Sequence, residues 1–293
     1  MMIPLLFILM LGASWGVHFP LLRFMGEQGY NFTSIIAVVV AGVALCLTVI
    51  SVFRKRLPAV TRPALIYYSL CGVTGYLLPF CFELYSAPKI GAGLLSIIVT
   101  LTPIFTVILT MAIKVEPITK KKILAVACGL LAVLPLFDVG QISMDDVYGT
   151  ALLAAVMVPI CYAVYYIYVL KLWPEGMDSW QVATGESLAC AMIIIPLALA
   201  TGQVETAIFA DRGSLMVMAV MVTLSVTEVY LYFEAIRRAG VVFVSQTNFI
   251  AVGMSVVLGI IMFGETHSWW IIICLGLLAA SLTLSAKETK SRV

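Results

Sequence analysis

The sequence predicts an all-α membrane protein whose ten membrane-spanning helices form two inverted five-helix repeats. Three observations carry this prediction. Of the 293 residues, 62% are hydrophobic and 11% charged, too little polar surface to cover a soluble domain of this length. Apolar stretches of ~17–25 residues, the length that crosses a hydrocarbon core of about 30 Å, recur along the chain. The two halves of the sequence also repeat one another.

Breaks in hydrophobicity divide the chain into segments 3–25, 33–53, 63–87, 90–114, 120–137, 147–170, 180–201, 213–236, 239–263 and 267–286. The first segment lacks a basic start and carries Trp15 and His18 where a signal peptide would have small residues, so it reads as a retained helix. The connections are short and hold most of the charge. With the N-terminus placed in the cytoplasm, the inside set is Arg54, Lys55, Arg56, Arg62, Lys114, Lys120, Lys121, Lys122, Lys171, Arg237, Arg238, Lys287, Lys290 and Arg292. Only Arg23, Lys89 and Arg212 fall outside. Basic loops stay inside, so both termini are expected in the cytoplasm and Asp138, Asp145 and Asp146 on the far side of a cytoplasmic (inner) membrane.

Segments four and nine show the duplication. Lys89-Ile90-Gly91 opens one and Arg238-Ala239-Gly240 the other. Ser96 and Ser245 stand five residues past the glycine, and Glu116 and Glu265 stand 25 past it. A Gly-Leu-Leu-Ala helix follows each, at Gly129 and at Gly276. The division is therefore 1–140 and 141–293. Five is odd, so the second half enters the membrane inverted, as in secondary transporters.

The Ser14-Trp15-Gly16 triplet, the passage LTPIFTVILTMAIKVEPIT with Pro103 and Glu116, and the GLLAVLPL helix after it resemble the EamA branch of the drug/metabolite transporter superfamily. Weaker copies lie in the second half, and the resemblance covers essentially the whole chain. The sequence departs at Val252, which stands where segment four has Pro103, and at CYAVYY in segment six, where the family commonly has Trp-Ala. The resemblance implies a central cavity lined by segments one, three, four, six, eight and nine, peripheral segments five and ten, and alternating access. Family members export amino acids, nucleosides or other metabolites, and some import vitamins or choline.

Glu228 is the most informative single residue. It sits near the middle of segment eight, where an acidic side chain costs ~2.5–3.5 kcal/mol even on lenient scales. It can be protonated, face a wet cavity or meet a cationic group of a substrate, which makes it the proton-coupling candidate. Otherwise it only holds helices together. Ser225, Glu228 and Tyr232 share one helix face. Trp15 and His18 share a face of segment one, and Tyr76 and Glu83 one of segment three. A histidine near a carboxylate can move protons or gate, or be an interfacial pair. Ser96, Thr100, Pro103 and Thr110 form a stripe on segment four, where proline can bend the helix; alternatively the hydroxyls bond their own backbone. Ser245, Gln246 and Asn248 cluster at matching depth on segment nine. Tyr162 and Tyr166 share a face of segment six and can hold apolar or cationic groups. The substrate-binding candidates are thus Glu228, Tyr232, Trp15, His18, Tyr76, Glu83, Thr100, Tyr162, Tyr166, Gln246 and Asn248. Glu116 and Glu265 read as helix caps, and Glu186 as a solvated residue near the cytoplasmic end of segment seven.

No phosphate-binding loop, zinc-protease motif or nucleophile elbow occurs. The seven cysteines all lie in apolar stretches without a C-x-x-C pair, and read as small hydrophobes. No cofactor, metal or nucleic-acid partner is expected. The expected partners are a small-molecule substrate and the bilayer, with the chain a monomer or homodimer. These features predict a secondary transporter exporting or exchanging metabolites such as amino acids or amines. Import of a vitamin or quaternary amine is the alternative. An intramembrane enzyme would have only His18 with Glu83 to work with, and a channel would need a continuous polar pore.

Overall fold

The computed structural model describes residues 2–113, 147–239 and 247–264, with isolated positions 120, 123, 124, 127, 131, 273, 276, 277 and 280. All regular structure among these residues is helical. The helices are α1 (Met2–Glu27), α2 (Phe32–Phe53), α3 (Arg62–Gly72), a π-helical turn (Val73–Leu77), α4 (Leu78–Ile90), α5 (Ala92–Val99), α6 (Thr102–Ala112), α7 (Val147–Leu172), α8 (Ser179–Ala200), a short 3₁₀ turn (Thr206–Phe209), α9 (Arg212–Ala239) and α10 (Thr247–Phe263). Among the described residues, six helical stretches are long and apolar enough to cross a bilayer: 32–53, 62–90, 92–109, 147–172, 179–200 and 212–236. A 22-residue helix is about 33 Å long, matching the hydrocarbon core. Segments five and ten, with Glu116, Ser245, Gln246 and Glu265, lie outside the described residues apart from a few positions.

Local chemistry sets the boundaries. The Asn31 side chain accepts the Thr33 N–H at 2.9 Å and opens α2. Asp178 and Gln181 form a reciprocal capping box at the start of α8, satisfying backbone donors that a helix start leaves unpaired. Segment three is one continuous rod through the π turn, which contains Gly75 and Tyr76. Gly91 ends it at φ +85°, a conformation open to glycine. Segment four is interrupted: α5 stops at Val99, and α6 restarts at Thr102 with Pro103 in its first turn. A proline lacks the N–H that a continuous helix needs there.

Packing relies on small residues and buried hydroxyls, as expected where lipid supplies no hydrophobic drive between helices. α1 lies against α10 through Gly12 and Gly16: a Cβ added at Gly16 would sit 2.5 Å from Met254 Cβ and 2.6 Å from the Ala251 carbonyl. α2 lies against α8, where the Ser51 and Thr184 hydroxyls share a hydrogen bond of 2.6 Å. The Ser86 hydroxyl donates to the Ala151 carbonyl between α4 and α7, and the Ser255 hydroxyl to the Ala92 carbonyl between α10 and α5. Large apolar side chains are instead exposed around the outside, among them Leu45, Phe53, Met192, Leu199, Met216 and Ile261. An apolar exterior over a core with buried polar groups is the arrangement of a multi-pass membrane protein.

Candidate functional site

Seven helical segments converge on one internal cavity of about 100 Å³, room for several water molecules. α1 contributes Trp15 and His18; the π turn and α4 contribute Tyr76, Phe80 and Glu83. Ser96 and Val99 come from α5 and Thr102 from α6. Tyr162, Tyr165 and Tyr166 come from α7; Ser225, Glu228 and Tyr232 from α9; Asn248 from α10. α8 adds Glu186.

Three carboxylates stand on this wall, all buried. Glu228 accepts the Ser14 hydroxyl at 2.8 Å. Glu83 accepts the Tyr162 hydroxyl at 3.1 Å, and Glu186 accepts the Tyr165 hydroxyl at 3.1 Å. No lysine or arginine is among the described lining residues. A buried carboxylate is costly when charged unless a cation or several hydrogen bonds compensate it, and one hydroxyl each is weak compensation. Aromatic rings fill the space between. Tyr232 stacks on Tyr165 with centroids 5.4 Å apart, and Trp15 and Tyr166 approach the same ring at 6.2 and 5.7 Å. His18 packs edge-on against Phe80 at 6.0 Å, and its buried Nδ1 has no hydrogen-bond partner among the described residues.

Most of the sequence-derived candidates meet here. Glu228, Tyr232, Trp15, His18, Tyr76, Glu83, Tyr162, Tyr166 and Asn248 all line the cavity. Thr100 does not: it is buried where α5 ends, and its hydroxyl donates to the Ile97 carbonyl at 2.6 Å. The Ser96 hydroxyl likewise donates to its own helix, at the Gly93 carbonyl. Gln246 lies outside the described residues. His18 and Glu83 share the wall, but the described bond of Glu83 is to Tyr162.

Glu186 corrects the expectation of a solvated residue. It is 3% exposed and faces the cavity. The segment's start at Ser179 puts it only two turns from the helix end, which suggested solvent. Its neighbours Val182, Ala183, Ala189 and Cys190 are buried, and that small apolar company was the signal that it points inward. Tyr165 lies off the Tyr162–Tyr166 stripe and still lines the cavity, because α7 is buried on more than one face.

A helical membrane protein built around a polar, aromatic-lined internal cavity is the class these features define. The chain belongs to the EamA-like transporter family, which matches it twice, over residues 2–137 and 149–286. No curated protein matches it. The crystal structure of another protein matches over 98% of this chain and 97% of its own, at 14% identity and a TM-score of 0.67. That likeness is one of fold.

Proposed function

We propose that the chain is a secondary active transporter that exports or exchanges small organic metabolites bearing a cationic group, amino acids or amines, by alternating access across the cytoplasmic membrane. The observation that carries this reading is the cavity's wall: three buried carboxylates and a cluster of aromatic rings, with no lysine or arginine among its described residues. Such a wall has acceptors and π faces to offer and lacks strong donors, so it suits a ligand that brings donors and positive charge.

The helix pairings support two halves related by a pseudo-two-fold axis. The segment-one helix α1 packs on the segment-nine helix α10, and segment-four α6 packs on segment-six α7. Segment three packs on six as eight packs on one, and three on seven as eight on two. Among the described residues these pairings come in mates, as an inverted repeat requires. The cavity lies where both halves contribute, the place a rocking motion would expose to either side in turn. Glu228 is the proton-coupling residue, and both termini face the cytoplasm.

Purified protein in proteoliposomes, offered a panel of radiolabelled amines, amino acids, nucleosides and vitamins in both directions, tests the reading. Gradient-driven movement of an amine or amino acid, abolished by Glu228→Gln in protein that still folds, is expected. Wild-type transport by Glu228→Gln would remove Glu228 from the mechanism.

A further inference from the structure

Helices α2 and α8 run antiparallel and are tied together at both ends. At one end the Asn31 N–H donates to the Glu205 carboxylate at 2.9 Å, the Thr33 hydroxyl to the Gln203 side chain at 2.7 Å, and the Glu205 N–H to the Ser34 hydroxyl at 2.9 Å. At the other end Arg56 pairs with Asp178 at 3.2 Å, and the Gln181 side-chain amide donates to the Leu57 carbonyl at 2.9 Å. The first tie needs no cation, since residues 28–34 and 201–206 contain no lysine or arginine. The second stands in a run of basic residues, Arg54, Lys55, Arg56 and Arg62, and residues 53–63 contain no acid. Holding two helices together therefore does not account for this charge.

Two of the four basic residues have work inside the fold. Arg56 meets Asp178 yet stays 61% exposed, and the Arg54 guanidinium lies 5.3 Å above the Trp180 ring, which stacks on Tyr230. Lys55 and Arg62 are exposed and have no carboxylate partner among the described residues. Lys55 also holds φ +55°, and it is the one non-glycine residue at positive φ among the described residues. Glycine or asparagine takes that conformation at less cost, so the turn itself does not call for a lysine. Between these charges stand apolar side chains turned outward, with Phe53 83%, Leu57 57% and Val60 81% exposed. The backbone that presents them is pinned, Leu57 by Gln181 and Ala59 by the Tyr68 hydroxyl.

The loop joins two stretches that are each long and apolar enough to cross a bilayer, 32–53 and 62–90, so it lies at the level of the lipid headgroups. Exposed apolar side chains alternating with unpaired cations suit that level: the former reach the acyl boundary and the latter meet phosphate. We propose that this loop is a binding surface for anionic phospholipid, with headgroup phosphates at Lys55, Arg62 and the exposed side of Arg56, and acyl chains against Phe53, Leu57 and Val60. The surface is independent of the solute the cavity carries. It tethers the end of the α2–α8 seam to the leaflet proposed above as cytoplasmic, the one that bears anionic lipid, and the cation-free tie at the opposite end has no such tether.

Full-length protein in a mild uncharged detergent, titrated with phosphatidylglycerol or with phosphatidylcholine of the same acyl chains, tests this through the rise in thermal midpoint. The half-saturating concentration is expected to be about 25-fold lower for phosphatidylglycerol, about fivefold for each of the two unpaired charges, and the difference should shrink in high salt. Lys55→Gln combined with Arg62→Gln should bring the ratio close to unity. Arg212→Gln, an exposed basic residue at the opposite end of the seam, should leave it unchanged. Equal half-saturation by the two lipids in the wild-type protein would overturn the proposal without reliance on any variant. So would a folded double variant that keeps the full preference, or an Arg212→Gln variant that loses it, since the effect would then be one of net charge. Glycerol 3-phosphate, the headgroup chemistry without chains, is the last arm. It is expected to give no rise at these concentrations; a rise equal to that with phosphatidylglycerol would make the ligand a free phosphate and overturn the lipid surface. None of these readouts depends on transport, so the transport reading stands or falls separately.

Discussion

Gly16→Ala puts a methyl group on the face of α1 that meets α10. The added carbon would lie 2.5 Å from Met254 Cβ and 2.6 Å from the Ala251 carbonyl oxygen. Neither atom can be moved by changing a rotamer, since one is a backbone oxygen and the other is fixed to the backbone. Comfortable contact needs about 1 Å more, so the two helices must part. Overpacking of this kind costs about 1–3 kcal/mol, and for a chain of this size that lowers a thermal midpoint by roughly 2–10 °C. Gly253→Ala, on α10 with nothing within 4 Å of its added carbon, is the control and should lose no stability. The assay is thermal unfolding of both variants in one mild detergent. A Gly16→Ala midpoint equal to that of the wild type would refute the close approach of α1 and α10.

Other perturbations have readable sizes. Ser14→Ala removes the described donor to Glu228; a hydrogen bond to a carboxylate is worth about 1.5–3 kcal/mol, so the apparent KM for substrate should rise, by up to about a hundredfold, in a proteoliposome uptake assay. Asp178→Ala breaks the capping box of α8 and should cost about 1 kcal/mol by thermal unfolding, while Arg56→Ala, which breaks only the 3.2 Å exposed pair with Asp178, should change little. Asp211 caps α9: the Ser214 hydroxyl beside it, short of full hydrogen-bond geometry, together with the Ser214 and Gly213 amides, holds its carboxyl below the usual carboxylate range. A lowered value means the cap's contribution is present above the ordinary aspartate range of about 3.9 and is lost as pH falls through the lower folded value. A pH titration of thermal stability should therefore show an acid-side loss that Asp211→Ala abolishes.

The membrane class was legible because burying backbone in lipid demands long apolar helices, and those dominate the composition. Most of the site was legible for the opposite reason: Glu228, Glu83, His18 and Asn248 are polar residues in places where polarity is costly. What could not be read was local geometry. Nothing in the spacing of Val73–Leu77 announces a π turn, yet that turn sets where Tyr76 and Gly75 meet the cavity and the Tyr165 ring. Thr100 sat on the right stripe, but the interruption before Thr102 returns its hydroxyl to its own backbone. Glu186 lies only two turns from a helix end, a position that reads as solvated, yet the small, apolar residues around it turn it inward. Counting carboxylates by depth alone gave one strong candidate; the tertiary packing gives three on one wall.

Alternating exposure of this wall is the central claim, and thiol accessibility tests it most directly. Val99 lines the cavity and is 6% exposed. Val99→Cys, in a background with the seven native cysteines replaced, can be labelled with a membrane-impermeant thiol reagent in right-side-out and in inverted vesicles. The account predicts labelling from either face, with bound substrate protecting the position in both. Labelling from one face only under every condition, with substrate making no difference, would contradict it.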